Sequence, residues 1–238
     1  MTGRLEGRRA VITGASRGIG AAIARALDGA GASTLLVARN MPALDAVCSS
    51  LQRATPLALD LADPAAASNL AAAAPGLLGG DADILVNNAG IFPVASIEQT
   101  TDDVIDRSLA LNLGAPLRLL RAFLPGMRAR RSGHIVTIGS IADRVAYAKN
   151  AAYAATKFGE RALHEVARAE LGGSGVRATL ISPGPTDTPL WDALDPDNDP
   201  SFTPRAKMLG AGAVADAVLW AVTRPDDVNV DELRLSRS

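Results

Sequence analysis

Apolar and polar positions along this chain fall into a repeating alternation of short and long segments. Short β-rich runs lie at 9–13, 33–38, 56–61, 84–87, 134–139, 176–182 and 230–235. Between them lie alanine- and leucine-rich stretches of helical character at 21–30, 42–51, 64–74, 101–130, 151–171 and 211–223. A strand followed by a helix, repeated in this way, predicts an α/β chain. Asp63 and Pro64 give the third helix a start signal, and Gly76, Gly79 and Gly80 are expected to break it. Pro116 and Pro125 predict a bend or an early end within 101–130. The 56–61 run is expected to close on Asp60. Residues 189–207 are rich in Pro and Asp with Trp191, Leu194 and Phe202 interspersed, a composition that suits a flap over a pocket. No linker and no internal repeat is visible, so one domain over 1–238 is expected.

Charge and cysteine usage narrow the classes. The formal net charge is −1 and the charged residues are dispersed, unlike the basic stripe of a nucleic-acid binder. One cysteine, Cys48, leaves no intramolecular disulfide and no multi-cysteine metal site. With only His134 and His164, read as a strand-entry and a helix residue, no metal site is expected. No segment approaches the roughly 20 apolar residues of a membrane span. The first strand begins within about ten residues, which leaves no room for a secretory signal, so a cytoplasmic location is expected.

Three local patterns carry chemistry. After the first strand come Gly14, Gly18 and Gly20, a G-x-x-x-G-x-G spacing that opens a helix and encloses Ser16, Arg17 and Ile19. Strand, glycine loop and helix together suit a pyrophosphate, because glycines let the backbone approach closely and a helix start offers unpaired N–H groups. The second strand ends in Arg39, where NAD-preferring sites place an acid. With Arg17 nearby, two guanidiniums and no carboxylate favour the 2′-phosphate of NADP(H) over NAD(H).

The third pattern is Tyr153 and Lys157, four apart and so on one face of a helix, with Ser140 at the end of the 134–139 strand. An adjacent ammonium favours phenolate, so the tyrosine pKa is expected to fall and the phenol to exchange protons during a reaction. Ser140 is placed to point its hydroxyl into the crevice above the sheet. Alone, such a pair is usually an amphipathic accident; its weight comes from the nucleotide signals. At the fourth strand, Asn87 is expected to brace neighbouring loops, and Asn88, Ala89 and Gly90 to let backbone pack against a ring or ribose. Asn112, among leucines, must hydrogen-bond, either as a helix-bracing amide or as a catalytic one.

Thr13, Gly14, Gly18, Gly20, Asn87 to Gly90, Asn112, Ser140, Tyr153, Lys157, Pro183 and Gly184 together resemble the short-chain dehydrogenase/reductases. The resemblance covers nearly the whole chain. It implies a Rossmann-type doubly wound sheet of seven mostly parallel strands with helices on both faces, assembled as a homotetramer or homodimer through 101–130 and 151–171. By the same resemblance Tyr153 is the general acid or base, Lys157 holds the nicotinamide ribose, and Ser140 hydrogen-bonds the substrate oxygen. Asn112 holds a water that links Lys157 to solvent. Asp60 and Leu61 flank the adenine, Asn88 to Gly90 back its ribose, and Pro183, Gly184, Thr186 and Thr188 grip the nicotinamide side.

Where many relatives carry glycine three residues after the serine, this chain has Asp143 and then Arg144. Both are expected to border the pocket mouth or to pair with each other at the surface. The implied activity is NADP(H)-dependent oxidoreduction of a small or medium carbonyl or secondary alcohol. A 3-oxoacyl carrier-protein reductase and a 3-hydroxy acid or serine-type dehydrogenase are narrower versions. A regulator that binds the dinucleotide without turnover is the alternative of a different class; the intact Asn112, Ser140, Tyr153 and Lys157 rank catalysis ahead of it.

Overall fold

The structure, a computed structural model, describes residues 4–238. Its strands are β1 (Arg9–Thr13), β2 (Ser33–Ala38), β3 (Ala54–Ala58), β4 (Ile84–Asn87), β5 (Gly133–Ile138), β6 (Val176–Pro183), β7 (Thr186–Asp187), β8 (Leu209–Gly210) and β9 (Glu232–Leu235). The helices are α1 (Gly18–Gly29), α2 (Met41–Cys48), α3 (Ala66–Leu78), α4 (Asp102–Ser108), α5 (Ala115–Ala129), α6 (Ala151–Glu170) and α7 (Ala211–Val222). Among the described residues seven strands form one sheet in the order β3-β2-β1-β4-β5-β6-β9, every pair parallel, while β7 and β8 make a separate short ladder. This is the Rossmann-type α/β architecture.

Successive strand residues face opposite sides of a sheet. Ile12, Leu36, Val86 and Val136 pack with Ile23 and Leu27 of α1 and Val214 and Val218 of α7. Their neighbours Val11, Leu35, Leu85 and Ile135 pack with Leu70 of α3 and Leu119 and Phe123 of α5. Both faces are therefore covered, which is why the strands read as continuous apolar runs. β3 is the exception in composition. It carries Pro56, tolerated because β3 is an edge strand paired only with β2.

Several boundaries differ from the sequence expectation. Helix α3 does not break at Gly76 but continues through it to Leu78, and Gly79 ends it with a left-handed φ of 69°. β3 ends at Ala58, so Asp60 lies in the loop beyond it. The 101–130 stretch is three pieces, with a π-helical turn, Leu109–Gly114, between α4 and α5. The π-turn lies upstream of Pro116, the second residue of α5, and runs directly into that helix. π-Turns of this kind often mark functional sites, and this one buries Asn112.

Residues 189–207 contain two 3₁₀ turns, Pro189–Trp191 and Arg205–Lys207. Arg205 ties the segment together, with its guanidinium 2.6 Å from both Asp187 and Asp192. The Trp191 indole donates to Thr186 O at 3.0 Å. Among the described residues no helix is long and apolar enough to cross a membrane.

Candidate active site

The strand order reverses direction between β1 and β4, and such a switch opens a crevice beyond the C-terminal strand ends. A cleft of about 980 Å³ lies there, bounded by Gly14 after β1, Arg39 after β2, Asn88 after β4 and Gly139 after β5.

The glycine loop is built by contact with β4. Thr13 Oγ1 donates to Val86 O at 3.0 Å and accepts the N–H groups of Asn88 at 2.9 Å and Ala89 at 3.1 Å. The Asn88 amide donates to Thr13 O at 2.8 Å and to Gly14 O at 3.3 Å. Gly14 has φ 65°, and a β-carbon there would come within 2.9 Å of Ala89 Cα. Only glycine fits. Asn88, not Asn87, is thus the bracing amide: Asn87 is buried, and among the described residues neither its oxygen nor its nitrogen has a hydrogen-bond partner. Asn88 is the first residue beyond β4, where its amide reaches the carbonyls at the end of β1.

The residues present suit a dinucleotide. Helix α1 starts at Gly18 immediately under the loop, no side chain among the described residues caps its first turn, and no acid lies in that turn. Its free N–H groups and partial positive charge are open to a pyrophosphate. Ser16, Arg17, Gly18, Ile19 and Gly20 all line the cleft. A β-carbon on Gly18 would meet the Thr188 side chain at 3.2 Å, so Thr188 lies directly beside the loop. Beyond the loop Arg39, Asp60 and Leu61 line the wall. Arg39 Nη1 stands 3.9 Å from Asp60 Oδ2, with both side chains about half exposed at 55% and 48%. Asn88, Ala89 and Gly90 line the middle of the cleft.

Tyr153 and Lys157 line the far end. Lys157 Nζ is 5.8 Å from the centre of the Tyr153 ring and donates to Ile138 O at 3.0 Å and to Glu160 Oε2 at 2.6 Å. Lys157 and Glu160 are both buried. Burial works to lower the ammonium pKa, but the negative charge of Glu160, with Tyr153, outweighs it and holds Lys157 above the usual lysine range. Burial raises the Glu160 carboxyl above its ordinary range, against the opposing pull of Lys157.

The remaining expected residues are not on the cleft lining. Asn112 Oδ1 accepts Ile91 N–H at 2.9 Å, and its Nδ2 donates to Ile91 O at 2.9 Å and Thr156 Oγ1 at 3.2 Å. Its amide is a brace between the π-turn, the loop after β4 and α6. Ser140 begins the 3₁₀ turn Ile141–Asp143, and its Oγ accepts Ala142 N–H at 3.1 Å. Gly184 N–H donates to Leu235 O at 2.8 Å, and Thr186 Oγ1 donates to Gly184 O at 2.9 Å. Those bonds fix the segment that Pro183 opens and that presents Thr188.

Asp143 is neither at the pocket mouth nor at the surface. It is 1% exposed, and its Oδ2 accepts the Ser182 hydroxyl at 2.5 Å. Arg144 does approach Asp143, at 3.8 Å, but its guanidinium is held by Glu232 of β9 through two hydrogen bonds, the Nη2–Oε2 one at 2.6 Å. The turn that carries Ser140 is therefore clamped to β6 and β9.

Sequence reasoning passed over the aromatic wall. The chain holds four Phe, two Tyr and two Trp. Four of these residues converge here: Phe92 meets Tyr153 edge-on at 4.8 Å, Trp191 meets Phe92 at 5.2 Å, and Phe202 meets Trp191 at 5.7 Å. Phe92, Pro93 and Leu190 line the cleft beside Tyr153. Glu160 was also missed, although its place three residues after Lys157 put it on the same helix face.

A parallel doubly wound sheet with a glycine-rich cradle at its switch point defines a dinucleotide-binding α/β protein. The family model "short chain dehydrogenase" matches residues 8–199, and the chain belongs to that family. It is 36% identical, over 98% of both chains, to an uncharacterized oxidoreductase of Staphylococcus epidermidis. Among solved structures it is similar to a metagenomic short-chain oxidoreductase in complex with NADP, with 34% identity, 99% of each chain covered and a TM-score of 0.84. It is also similar to serine dehydrogenase from Escherichia coli, with 29% identity, 95% of this chain and 96% of the other covered, and a TM-score of 0.83. The chain is thus an oxidoreductase of the short-chain dehydrogenase family.

Proposed function

We propose that residues 1–238 form one dinucleotide-binding and catalytic domain that reduces a small or medium carbonyl compound with NADPH, or oxidises the corresponding secondary alcohol with NADP. The observation that carries this reading is the meeting of Tyr153 and Lys157 with the glycine loop along one cleft. When bound, the cofactor supplies or accepts the hydride. Tyr153 gives a proton to the substrate oxygen in reduction and takes it back in oxidation. Lys157 holds the nicotinamide ribose, and its positive charge stabilises the phenolate left behind. Ser140 donates to the substrate oxygen as negative charge develops on it.

Asn112 holds the loop after β4 in place and, through the π-turn backbone, the water that connects Lys157 with solvent. Arg17 and Arg39 take the 2′-phosphate, which favours NADP(H) over NAD(H); the NADP bound to a similar structure supports this choice. Asp60 and Leu61 flank the adenine, and Pro183, Gly184, Thr186 and Thr188 form the nicotinamide side. Phe92 and Leu190 give the substrate an apolar flank, since Asp143 and Arg144 are committed elsewhere. Residues 189–207 act as a flap over it.

The protein acts in the cytoplasm as a homotetramer or homodimer. Exposed Leu109, Leu117, Phe158 and Val166, on the π-turn, α5 and α6, support a subunit interface there. Light scattering of the purified protein tests the assembly.

The activity is tested by following NADPH consumption against a panel of ketones, aldehydes and 3-oxo acids. Turnover with ketones or aldehydes of apolar substituents is expected. Absence of turnover with every member, alongside tight NADPH binding, would favour the non-catalytic regulator instead.

A further inference from the structure

Glu160 is a buried carboxylate that none of the roles above employs. Its side chain is 3% exposed and its Oε2 lies 2.6 Å from Lys157 Nζ, whose own side chain is 6% exposed. An ammonium has three N–H donors. Ile138 O takes one from the β5 side and Glu160 takes a second from along the helix. The third is left for the cleft that Lys157 lines.

The other titratable groups that act on this ammonium are Tyr153 on its own helix and Asp143 on the turn after β5. Asp143 acts only through space, because its Oδ2 is bonded to Ser182. The acid that touches Lys157 is therefore Glu160. A buried lysine deprived of a contacting carboxylate loses its proton more readily, because burial penalises the charged form and nothing in contact offsets it.

We propose that Glu160 is the positioning residue of Lys157: from behind, it keeps the ammonium charged and aims its remaining N–H at the nucleotide ribose. This rests on the dinucleotide reading above. A neutral amine would still fit the space, but it would hold the ribose hydroxyls less strongly than a charged donor. Glu160 thus extends the pH range over which the site keeps its nucleotide.

The test compares wild type with Glu160→Gln, which keeps a carbonyl acceptor of the same shape and removes the charge. NADPH affinity is measured by fluorescence of the bound nicotinamide at about pH 7 and about pH 9, where the phosphates stay ionised. The ratio of variant to wild-type Kd is expected to rise about tenfold between the two, the scale of one hydrogen bond to a charged donor. In a Lys157→Met background, Glu160→Gln should change nothing further.

A ratio that stays flat with pH overturns the proposal. So does a Glu160→Gln effect that persists without the lysine. If Glu160→Gln does not fold, wild type alone decides: its affinity should hold within about threefold from pH 7 to pH 9, and a collapse over that range overturns the proposal. Failure of wild type to bind NADPH at pH 7 would instead remove the dinucleotide reading itself.

Discussion

The side-chain amide of Asn88 occupies the space where a β-carbon on Gly20 would lie, 2.6 Å from that position, and Gly14 O stands 2.3 Å from it. The first turn of α1 is thereby pressed against the end of β4, and the loop between them has one shape. Gly20→Ala must push Asn88 aside and open the cradle. We predict at least a tenfold loss of NADPH affinity and about 1–3 kcal/mol of destabilisation, the scale of an overpacked site. Calorimetric titration and thermal unfolding measure the two, and unchanged affinity would show that the loop does not shape the nucleotide site.

Arg39 meets Asp60 at a distance and exposure where ion pairs contribute about 0–1 kcal/mol. Its guanidinium is therefore cheaply released to a 2′-phosphate. Arg39→Asp should leave stability nearly unchanged and lower the preference for NADPH over NADH by at least about tenfold, because a repelled phosphate replaces an attracted one. The ratio of the two affinities is the measurement, and a constant ratio would rule Arg39 out as the selector.

Asp143 bonds Ser182 and borders Arg144, tying the Ser140 turn to β6. Asp143→Ala leaves the Ser182 hydroxyl without that acceptor, which costs about 1–3 kcal/mol for a buried polar group. Chemical denaturation should show that loss. Turnover should fall too, as the Ser140 turn loosens. A variant as stable as wild type would show that the buried bond contributes nothing.

Two buried histidines set the acid limit. Burial lowers His134 to about 3 and His164 to about 4. The unfolded chain titrates its histidines near 6.5, so between that pH and the folded values it binds protons that the folded chain refuses. Stability is therefore full above about pH 6.5 and falls as pH drops towards 4 and 3. His164 alone accounts for about 3 kcal/mol of that loss. The free energy of unfolding, measured between about pH 7 and 4, should decline more gently in His164→Gln. Equal slopes would assign the acid limit to other groups.

The fold was legible because its signals are local. Apolar runs and intervening helical stretches repeat along the chain, and Gly14, Gly18 and Gly20 declare the loop by spacing alone. Tyr153 and Lys157 share a face by helix geometry. Glu160 aside, what escaped depends on contacts between distant residues. Asp143 and Ser182 are 39 positions apart, and only β5–β6 pairing brings them together. Phe92, Trp191 and Phe202 meet through loop placement, which no periodicity encodes. The choice of Asn88 over Asn87 as the brace depends on where β4 ends, one residue before Asn88. Pro116 and Pro125 suggest a bend or an early end, but the stretch continues through a π-turn upstream of both, where Asn112 donates to Ile91 and Thr156.

The central claim concerns a proton supplied by one phenol. In Tyr153→Phe the ring remains against Phe92 and only the hydroxyl is removed. The deciding measurement is NADPH-dependent carbonyl reduction by this variant, taken beside its NADPH affinity. The account predicts reduction lowered by at least about a thousandfold, within the range of a lost general acid and its oxygen contact, with affinity held within a few fold. Reduction at the wild-type rate would contradict it.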